Sequence, residues 1–172
     1  MDVLEAIKKR HSVRAFLDKE VDESVVREII EVSKQSPSGV NSQPWKVYAV
    51  LGKARDNLVK EACEKFDAGS WESEEYQVYP NKENMPDWYK ARQRACGFGM
   101  YGVLGIERED REKRTAQARK NYELFGAPVG LFISVNKAVG PNGWGHVGHF
   151  VQSICLAAVG SGLGTCLQEA WA

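Results

Sequence analysis

The feature that most constrains the fold is a polar loop at residues 37–44, which separates two apolar segments of different periodicity. Upstream of the loop, Asp22 is a candidate helix N-cap, and the apolar side chains of 25–32 recur at helical spacing. Downstream of it, residues 46–51 form a short run that is typical of a β-strand. Because proline and glycine in the loop stop a helix, the chain must change from helix to strand here. This change predicts a fold that combines helices and strands.

The same alternation continues along the rest of the chain. Asp2, with Glu5 three residues later, resembles a capping box and predicts a helix that ends near residue 10. An apolar run at 129–135 has the length of a buried central strand. Further helical patterns cover residues 54–66, 89–101, 109–124 and 146–159. Since there is no internal repeat, low-complexity tract or linker, we predict a single α+β domain over residues 1–172.

Charge and composition argue against several classes of partner. The 23 basic and 23 acidic side chains balance, so no global field would attract nucleic acid or a membrane surface. The N-terminal segment lacks the pattern of a signal peptide, and no apolar run approaches the roughly 18 residues of a membrane-spanning helix. The four cysteines show no CxxC spacing, which favours free thiols in a reducing compartment. We therefore expect a cytoplasmic protein.

A short cationic run follows the first predicted helix. Arg10 and Arg14 lie four residues apart, with Ser12 between them and apolar residues beside them. Two arginines at this spacing often form only a solvated helix face, and that alternative stays open. Guanidinium groups also donate charge-assisted, bidentate hydrogen bonds to a phosphate monoester. The run is therefore a candidate phosphate site.

The polar loop carries a second set of candidate ligand-binding residues. Ser38, Asn41 and Gln43 follow one another closely before Pro44 and Trp45. Carboxamides pair with both the donor and the acceptor edges of a planar heterocycle without adding charge. Serine and asparagine are also common turn formers, so the loop could serve only to reverse the chain.

Five motifs in sequence order resemble those of the FMN-dependent nitroreductase family, and the likeness extends over nearly the whole chain. The first is Arg-x-Ser-x-Arg-x-Phe at 10–16, and the second is Pro-Ser-x-x-Asn-x-Gln-Pro-Trp at 37–45. The others are Phe-Gly-Ala-Pro at 125–128, a helical segment at 152–158, and Gly-Leu-Gly-Thr at 162–165. Each motif is weak by itself, whereas five in order identify the family.

The resemblance implies a fold and a cofactor site. The fold would be a three-layer α-β-α sandwich, in which helices flank a mixed, mostly antiparallel sheet, and the protein would be a homodimer. FMN would carry the chemistry, so the resemblance implies neither a catalytic side chain nor a metal. The implied cofactor-binding residues are Arg10, His11, Ser12, Arg14, Pro37, Ser38, Asn41, Gln43, Asn121, Gln168 and Glu169.

The family also implies a role for each group of these residues. The two arginines and Ser12 of the first motif would bind the phosphate and pyrimidine side of FMN, with His11 adding a main-chain or ring contact. The loop residues would reach FMN across the dimer interface. Gln168 and Glu169 would bring backbone groups near flavin N5, and Asn121 would lie at the ring edge.

The activity that the resemblance implies is a ping-pong oxidoreductase reaction. NADH or NADPH would donate hydride to the flavin, and a small-molecule electron acceptor, a nitroaromatic or a quinone, would then be reduced in the same pocket. A reductive dehalogenase of the same superfamily is one alternative, and a catalytically impaired flavin-binding or scaffold protein is another. A nucleic-acid-binding module that uses the basic residues of 8–14 fits poorly with the neutral net charge.

Two regions lie outside these motifs. Family members usually continue for several tens of residues beyond the position that matches Ala172, so the resemblance implies a chain without the family's C-terminal quarter. Residues 69–88 contain four large aromatic side chains without any periodicity. A stretch of this length and composition suits a lid over a planar second substrate.

His146 and His149 have the i,i+3 spacing of a helix face. Neither a cysteine nor a carboxylate lies near them in the sequence, so they make a poor metal site. We expect these imidazoles to serve in capping or surface packing and predict no metal.

Overall fold

The structure is a computed structural model that describes residues 1–70 and 81–171. Its helices are α1 (Val3–Lys9), α2 (Glu23–Ser33), α3 (Gly52–Asp67), α4 (Asp87–Val103), α5 (Arg111–Arg119) and α6 (Asn142–Gly160). Its strands are β1 (Trp45–Leu51) and β2 (Val129–Val135). Single 3₁₀ turns occupy Gly39–Asn41, Lys82–Asn84, Leu124–Gly126 and Lys137–Val139. The predicted combination of helices and strands is confirmed, and none of the helices in the described ranges is both long and apolar enough to cross a membrane.

The first two helices begin where the sequence predicts. The Asp2 carboxylate accepts a hydrogen bond from the Glu5 N–H at 2.9 Å, and the Asp22 carboxylate accepts one from the Ser24 N–H at 2.7 Å. Each aspartate satisfies a backbone donor that the first helical turn leaves unpaired, which typically stabilises a helix by about 1 kcal/mol. Both starts are local features, and this is why they can be predicted from the sequence.

The two strands form an antiparallel sheet. Trp45 pairs with Val135 at one end, and Leu51 pairs with Val129 at the other. Both predicted strands are confirmed, at 45–51 and 129–135.

The prediction that β2 is a buried central strand is wrong for the residues that the structure describes. Gly130 is the one buried residue of β2. Among the described residues, β1 is the one strand that is hydrogen-bonded to β2. Leu131 and Ile133 face the core, whereas the side chain of Phe132 between them points to the other face of the sheet. The continuous apolar run therefore packs one face on the core, whereas its other face carries Gly130, Phe132 and the exposed Ser134.

Helix α5 is shorter than the helix predicted over 109–124. Leu124 and Phe125 adopt positive φ angles of 53° and 52°, and left-handed backbone cannot continue a helix. Both side chains are buried. The helix thus ends at Arg119, and the rest of the predicted segment leads into a turn that buries two large side chains.

The chain divides into two compact units. The first comprises Met1–Lys60 and Leu124–Leu167, and the second comprises Glu61–Glu123 and Gln168–Ala172. The expectation of one domain over residues 1–172 stays a prediction.

The core of the first unit is built around Phe150 on α6, whose side chain is completely buried. Ile29 from α2 and two further α6 residues, Ile154 and Ala158, form the buried cluster with it. The Trp45 ring stacks on the Phe150 ring, with 4.6 Å between centroids and 3° between planes. Helix α6 therefore joins α2 to the sheet.

Aromatic rings pack together in the second unit. The ring centroids of Phe66 and Tyr122 lie 5.1 Å apart, and those of Tyr122 and Trp171 lie 5.7 Å apart. Burial raises the pKa of the Tyr122 hydroxyl. These three rings join the end of α3 to the chain segments around residues 122 and 171.

The apolar stripe of α1 is exposed. Val3, Leu4 and Ile7 have 62%, 64% and 51% of their surface accessible, whereas Ala6 is buried. The sequence pattern is thus a true helical stripe, but this chain by itself leaves it in contact with solvent. An exposed apolar patch of this kind commonly marks an interaction surface.

Half of the predicted aromatic lid lies outside the described residues. The region predicted was 69–88, and positions 71–80 of it are not described. Trp88 lies in the first turn of α4 and is 60% exposed. The lid stays a prediction.

Replacing Asp67 with asparagine should lower the free energy of unfolding at neutral pH. Arg119 donates to the two carboxylate oxygens at 2.8 and 3.0 Å, and these hydrogen bonds lower the pKa of Asp67. Since the folded pKa lies below the unfolded one, the stabilisation is complete above the unfolded value of about 3.9. It is lost as the pH falls through the folded value.

Urea unfolding at about pH 7 and about pH 2.5 checks this expectation. The wild type should lose its advantage over Asp67→Asn at the lower pH, and the exposed Asp18→Asn variant serves as the control. An equal deficit of Asp67→Asn at both pH values would contradict the ion-pair explanation.

Candidate active site

The cationic segment starts where α1 ends. Arg10 has φ −61° and ψ 121°, and its N–H donates to the Ala6 carbonyl at 2.9 Å. Beyond it, Ser12 forms a parallel bridge with Thr165, and the Val13 N–H donates to the Thr165 carbonyl at 2.9 Å. The segment is therefore extended, so its arginines do not form the solvated helix face that their spacing left open.

Close packing fixes the position of this segment. A Cβ atom on Gly164 would lie 2.8 Å from Val13 Cγ2, so a side chain at position 164 would force Val13 to shift. The Phe16 N–H donates to the Phe125 carbonyl at 3.3 Å. Three of the five motifs, those at 10–16, 125–128 and 162–165, therefore meet at one place.

The charges and hydroxyls of the segment suit an anionic ligand. Arg14 is exposed, Arg10 and Ser12 are half-buried, and neither guanidinium has a carboxylate partner among the described residues. The Thr165 hydroxyl oxygen is buried without a hydrogen-bond partner in the part of the chain that is described. Such a group is usually satisfied by an ordered water or a ligand. This donor set fits the phosphate and hydroxyl chain of FMN.

His11 lies within the same segment and makes a local contact. Its exposed imidazole donates from Nδ1 to the Lys9 carbonyl at 2.9 Å. A ring contact to a ligand, as predicted, would therefore have to come from Nε2.

Cys166 directly follows the bridge residue Thr165. Burial raises the pKa of its thiol, and the charge of Arg14 acts in the opposite direction. The thiol is therefore protonated at neutral pH, which does not suit a nucleophile.

The polar loop turns through left-handed backbone. Val40, Asn41 and Gln43 have φ angles of 50°, 53° and 42°. For a β-branched residue such as Val40 this conformation is strained by about 1–3 kcal/mol. The Gln43 N–H donates to Ser38 Oγ at 3.0 Å, and Gln43 Nε2 donates to Asn41 Oδ1 at 3.0 Å. The structure thus brings the three predicted polar residues of the loop together.

Two imidazoles from α6 contact the start of this loop. The Gly39 N–H donates to His146 Nε2 at 3.3 Å, and His149 Nδ1 contacts the Pro37 carbonyl oxygen at 3.3 Å. The predicted packing role of the histidines is confirmed, but the sequence did not show that their partner is the polar loop. The sequence signal for a shared partner was the i,i+3 spacing, which places both histidines on one face of α6. Among the described residues no three potential metal ligands lie together.

A buried hydroxyl contact reinforces this attachment. Ser36 Oγ lies 2.7 Å from Ser153 Oγ, and also 2.7 Å from the Ser33 carbonyl oxygen at the end of α2. Ser36 and Ser33 are buried. The loop is therefore joined to α6 before its first left-handed residue.

The remaining predicted residues lie in the second unit. Gln168 Nε2 donates to the Asn121 carbonyl at 3.0 Å and to Asn121 Oδ1 at 3.2 Å, and Asn121 Nδ2 donates to the Ala118 carbonyl at 2.9 Å. Trp171 Nε1 donates to the same Asn121 carbonyl at 3.1 Å, a contact that sequence reasoning missed. The Asn121 side chain is thus engaged within the protein, and Glu169 is exposed.

An open groove of about 480 Å³ lies between α2 and β1. Glu23, Arg27 and apolar residues line it, and none of the predicted cofactor residues does. Arg27 donates to the Glu23 carboxylate at 2.9 Å, so the cation in this groove is already neutralised. This groove therefore does not fit a phosphate.

Comparisons with known proteins agree with these motifs. Residues 7–172 match the profile of the nitroreductase family. A 4-nitrobenzoate reductase of Nocardioides sp. (strain LMS-CY) is 31% identical over 166 residues, which cover 96% of this chain and 67% of that protein. A nitrobenzene nitroreductase of Ectopseudomonas oleovorans is 33% identical over 166 residues, which cover 96% of this chain and 72% of that protein. The crystal structure of the FMN and NADPH-dependent nitroreductase NfnB from Sphigopyxis sp. strain HMH superposes with a TM-score of 0.92 at 38% identity, over 99% of this chain and 76% of that one.

Proposed function

Because the chain belongs to the nitroreductase family, we propose that it is an FMN-dependent oxidoreductase that uses NADH or NADPH to reduce nitroaromatic compounds or quinones. The names of its relatives support nitroaromatic substrates, and the name of the structural neighbour supports FMN and NADPH as cofactors. The observation that carries the proposal is the meeting of three family motifs at an extended segment whose two arginines have no carboxylate partner in the described residues.

We propose that the cationic segment binds the phosphate and pyrimidine side of FMN. Arg10 and Arg14 would supply charge-assisted hydrogen bonds, and Ser12 would supply a hydroxyl. His11 would add a contact from its main chain or from Nε2. The unpaired hydroxyl of Thr165 beside Ser12 is a further group that this site would satisfy.

The polar loop would bind FMN through its main chain and its amides. Gln43 and Asn41 hold each other through one hydrogen bond, and Ser38 accepts from the Gln43 N–H, so the loop keeps its shape without a ligand. Residues 40–43 are exposed to solvent, and Val40 is fully so. Pro37 contributes its carbonyl to the attachment of the loop to α6.

For the ring end of FMN we propose backbone groups of Gln168 and Glu169. The Gln168 side chain bonds to Asn121, which anchors this segment. Asn121 would accordingly be a positioning residue more than a direct ligand of the ring edge.

FMN, when bound, supplies hydride transfer between the reduced nicotinamide and the acceptor. The residues of this chain would bind and orient it, and we assign no general acid or base among them. A cation near the pyrimidine side favours a negatively charged ring, so the arginines would also tune the redox potential.

We further propose that the protein is a cytoplasmic homodimer, in which the loop reaches the partner's flavin. The exposed stripe of Val3, Leu4 and Ile7 on α1 supports a self-association surface. Light scattering that reports a monomer still holding one FMN per chain would contradict the dimer.

Flavin spectroscopy tests the activity. The purified protein should be yellow, should bleach anaerobically on addition of NADH or NADPH, and should regain its colour with nitrobenzoate or a quinone. Yellow protein that does not bleach would support an impaired flavin-binding protein, and colourless protein that gains no colour with added FMN would overturn the proposal. If a halogenated aromatic re-oxidises the reduced flavin and neither nitrobenzoate nor a quinone does, the dehalogenase alternative would be supported.

A further inference from the structure

The polar loop holds a conformation that its own sequence does not favour. Val40, Asn41 and Gln43 are left-handed, and none of them is a glycine. Such strain persists only when the surrounding structure over-determines the conformation. The two side-chain hydrogen bonds inside the loop act only between residues 38 and 43, so its start needs a separate support.

One face of α6 provides that support. His146, His149 and Ser153 follow the i, i+3, i+7 spacing that aligns side chains along a helix. They contact, in turn, the N–H of Gly39, the carbonyl of Pro37 and the hydroxyl of residue 36. Three successive turns of one helix thus bind the chain immediately before its strained residues.

The two imidazoles act through different chemistry. His146 Nε2 accepts a hydrogen bond, so this nitrogen must be unprotonated. His149 Nδ1 faces a carbonyl oxygen, so this nitrogen must carry a proton. Consequently a glutamine at 146 could still accept the Gly39 N–H through its side-chain oxygen, whereas a leucine could not.

Steric fit points to the same pairing. A Cβ atom on Gly39 would lie 3.2 Å from His146 Nε2 and 3.3 Å from His146 Cε1. The imidazole therefore packs against the glycine as well as accepting from its N–H.

We propose that His146 and His149 are positioning residues, which hold the 37–43 loop in the conformation that binds FMN. This inference rests on the proposed function. Neither histidine would touch the flavin in this role, because both contact the loop backbone from the side of α6.

Three variants test the proposal: His146→Leu, His146→Gln and, as a control on the same helix, Gln152→Leu at an exposed position. Amide hydrogen exchange of flavin-free protein measures the order of the loop, and fluorescence titration measures the FMN dissociation constant. His146→Leu should speed exchange at 39–43 and weaken FMN binding by about threefold to tenfold, the range expected for one neutral hydrogen bond. His146→Gln should restore both within about twofold, and Gln152→Leu should change neither.

The outcomes separate this proposal from the proposed function. Unchanged loop exchange and unchanged FMN affinity in His146→Leu would overturn the positioning role, as would a failure of glutamine to rescue when exchange in α2 and β2 stays normal. If the wild type binds no FMN, the proposed function fails, and the exchange rates at 39–43 still decide whether His146 orders the loop. Should His146→Leu be unstable, His149→Leu gives the same readout at the Pro37 contact.

Discussion

Replacing Phe150 with alanine should lower the free energy of unfolding by about 3–5 kcal/mol, the largest loss that we expect from any single truncation described here. The Phe150 side chain has no accessible surface, and its ring stacks on Trp45 at 4.6 Å. The variant would lose this aromatic contact and leave a cavity among Ile29, Ile154 and Ala158. Because α6 also carries the two histidines, the loss should reach the polar loop.

Urea unfolding followed by far-ultraviolet circular dichroism measures this effect. The matched control is Phe98→Ala on α4, since Phe98 is 63% exposed and its truncation should change stability by no more than about 0.5 kcal/mol. Similar losses in the two variants would show that Phe150 is not the centre of the core.

Replacing Arg14 with alanine should weaken FMN binding at least about tenfold, because a charge-assisted hydrogen bond is worth roughly 1.5–3 kcal/mol. Arg14 is exposed on an extended segment that Thr165 and Gly164 hold in place. Its charge has no carboxylate partner in the described structure, so removing it should cost affinity without costing fold stability.

Fluorescence titration of flavin-free protein gives the dissociation constant. Arg27→Ala is the control, because Arg27 is also an exposed arginine but pairs with Glu23 in the groove between α2 and β1. An unchanged constant for Arg14→Ala, or an equal loss for both variants, would remove Arg14 from the cofactor site. A lysine at position 14 should recover only part of the affinity, since it lacks the bidentate geometry.

Features that depend on neighbours in the sequence could be predicted. The caps at Asp2 and Asp22 and the strand at 45–51 each follow from a few adjacent residues, and the structure has all three. The end of α5 could not be predicted in this way. It lies at Arg119, and Leu124 and Phe125 beyond it combine left-handed φ angles with burial against residues distant in the sequence.

In the candidate site, too, local features could be predicted from the sequence and long-range ones could not. The motifs indicated which polar residues belong together, and the contact of Gln43 with both Ser38 and Asn41 agrees with that grouping. The left-handed φ of Val40 had no sequence signal, because a β-branched residue is the least expected one there. The partner of His146 lies 107 residues away, so spacing along α6 gave the helix face without its target.

The discontinuity of the first unit has a consequence for how the protein is made. Its two segments, Met1–Lys60 and Leu124–Leu167, share one core and one sheet, in which Leu51 pairs with Val129. A nascent chain that has left the ribosome only as far as residue 60 holds α2 and β1 without Phe150, Ile154 and Ala158, which supply most of their buried core. Such long-range pairing slows folding and lengthens the exposure of apolar surface. We therefore expect this unit to fold only after translation has passed α6, and chaperones that bind apolar nascent chains to act most strongly before that point.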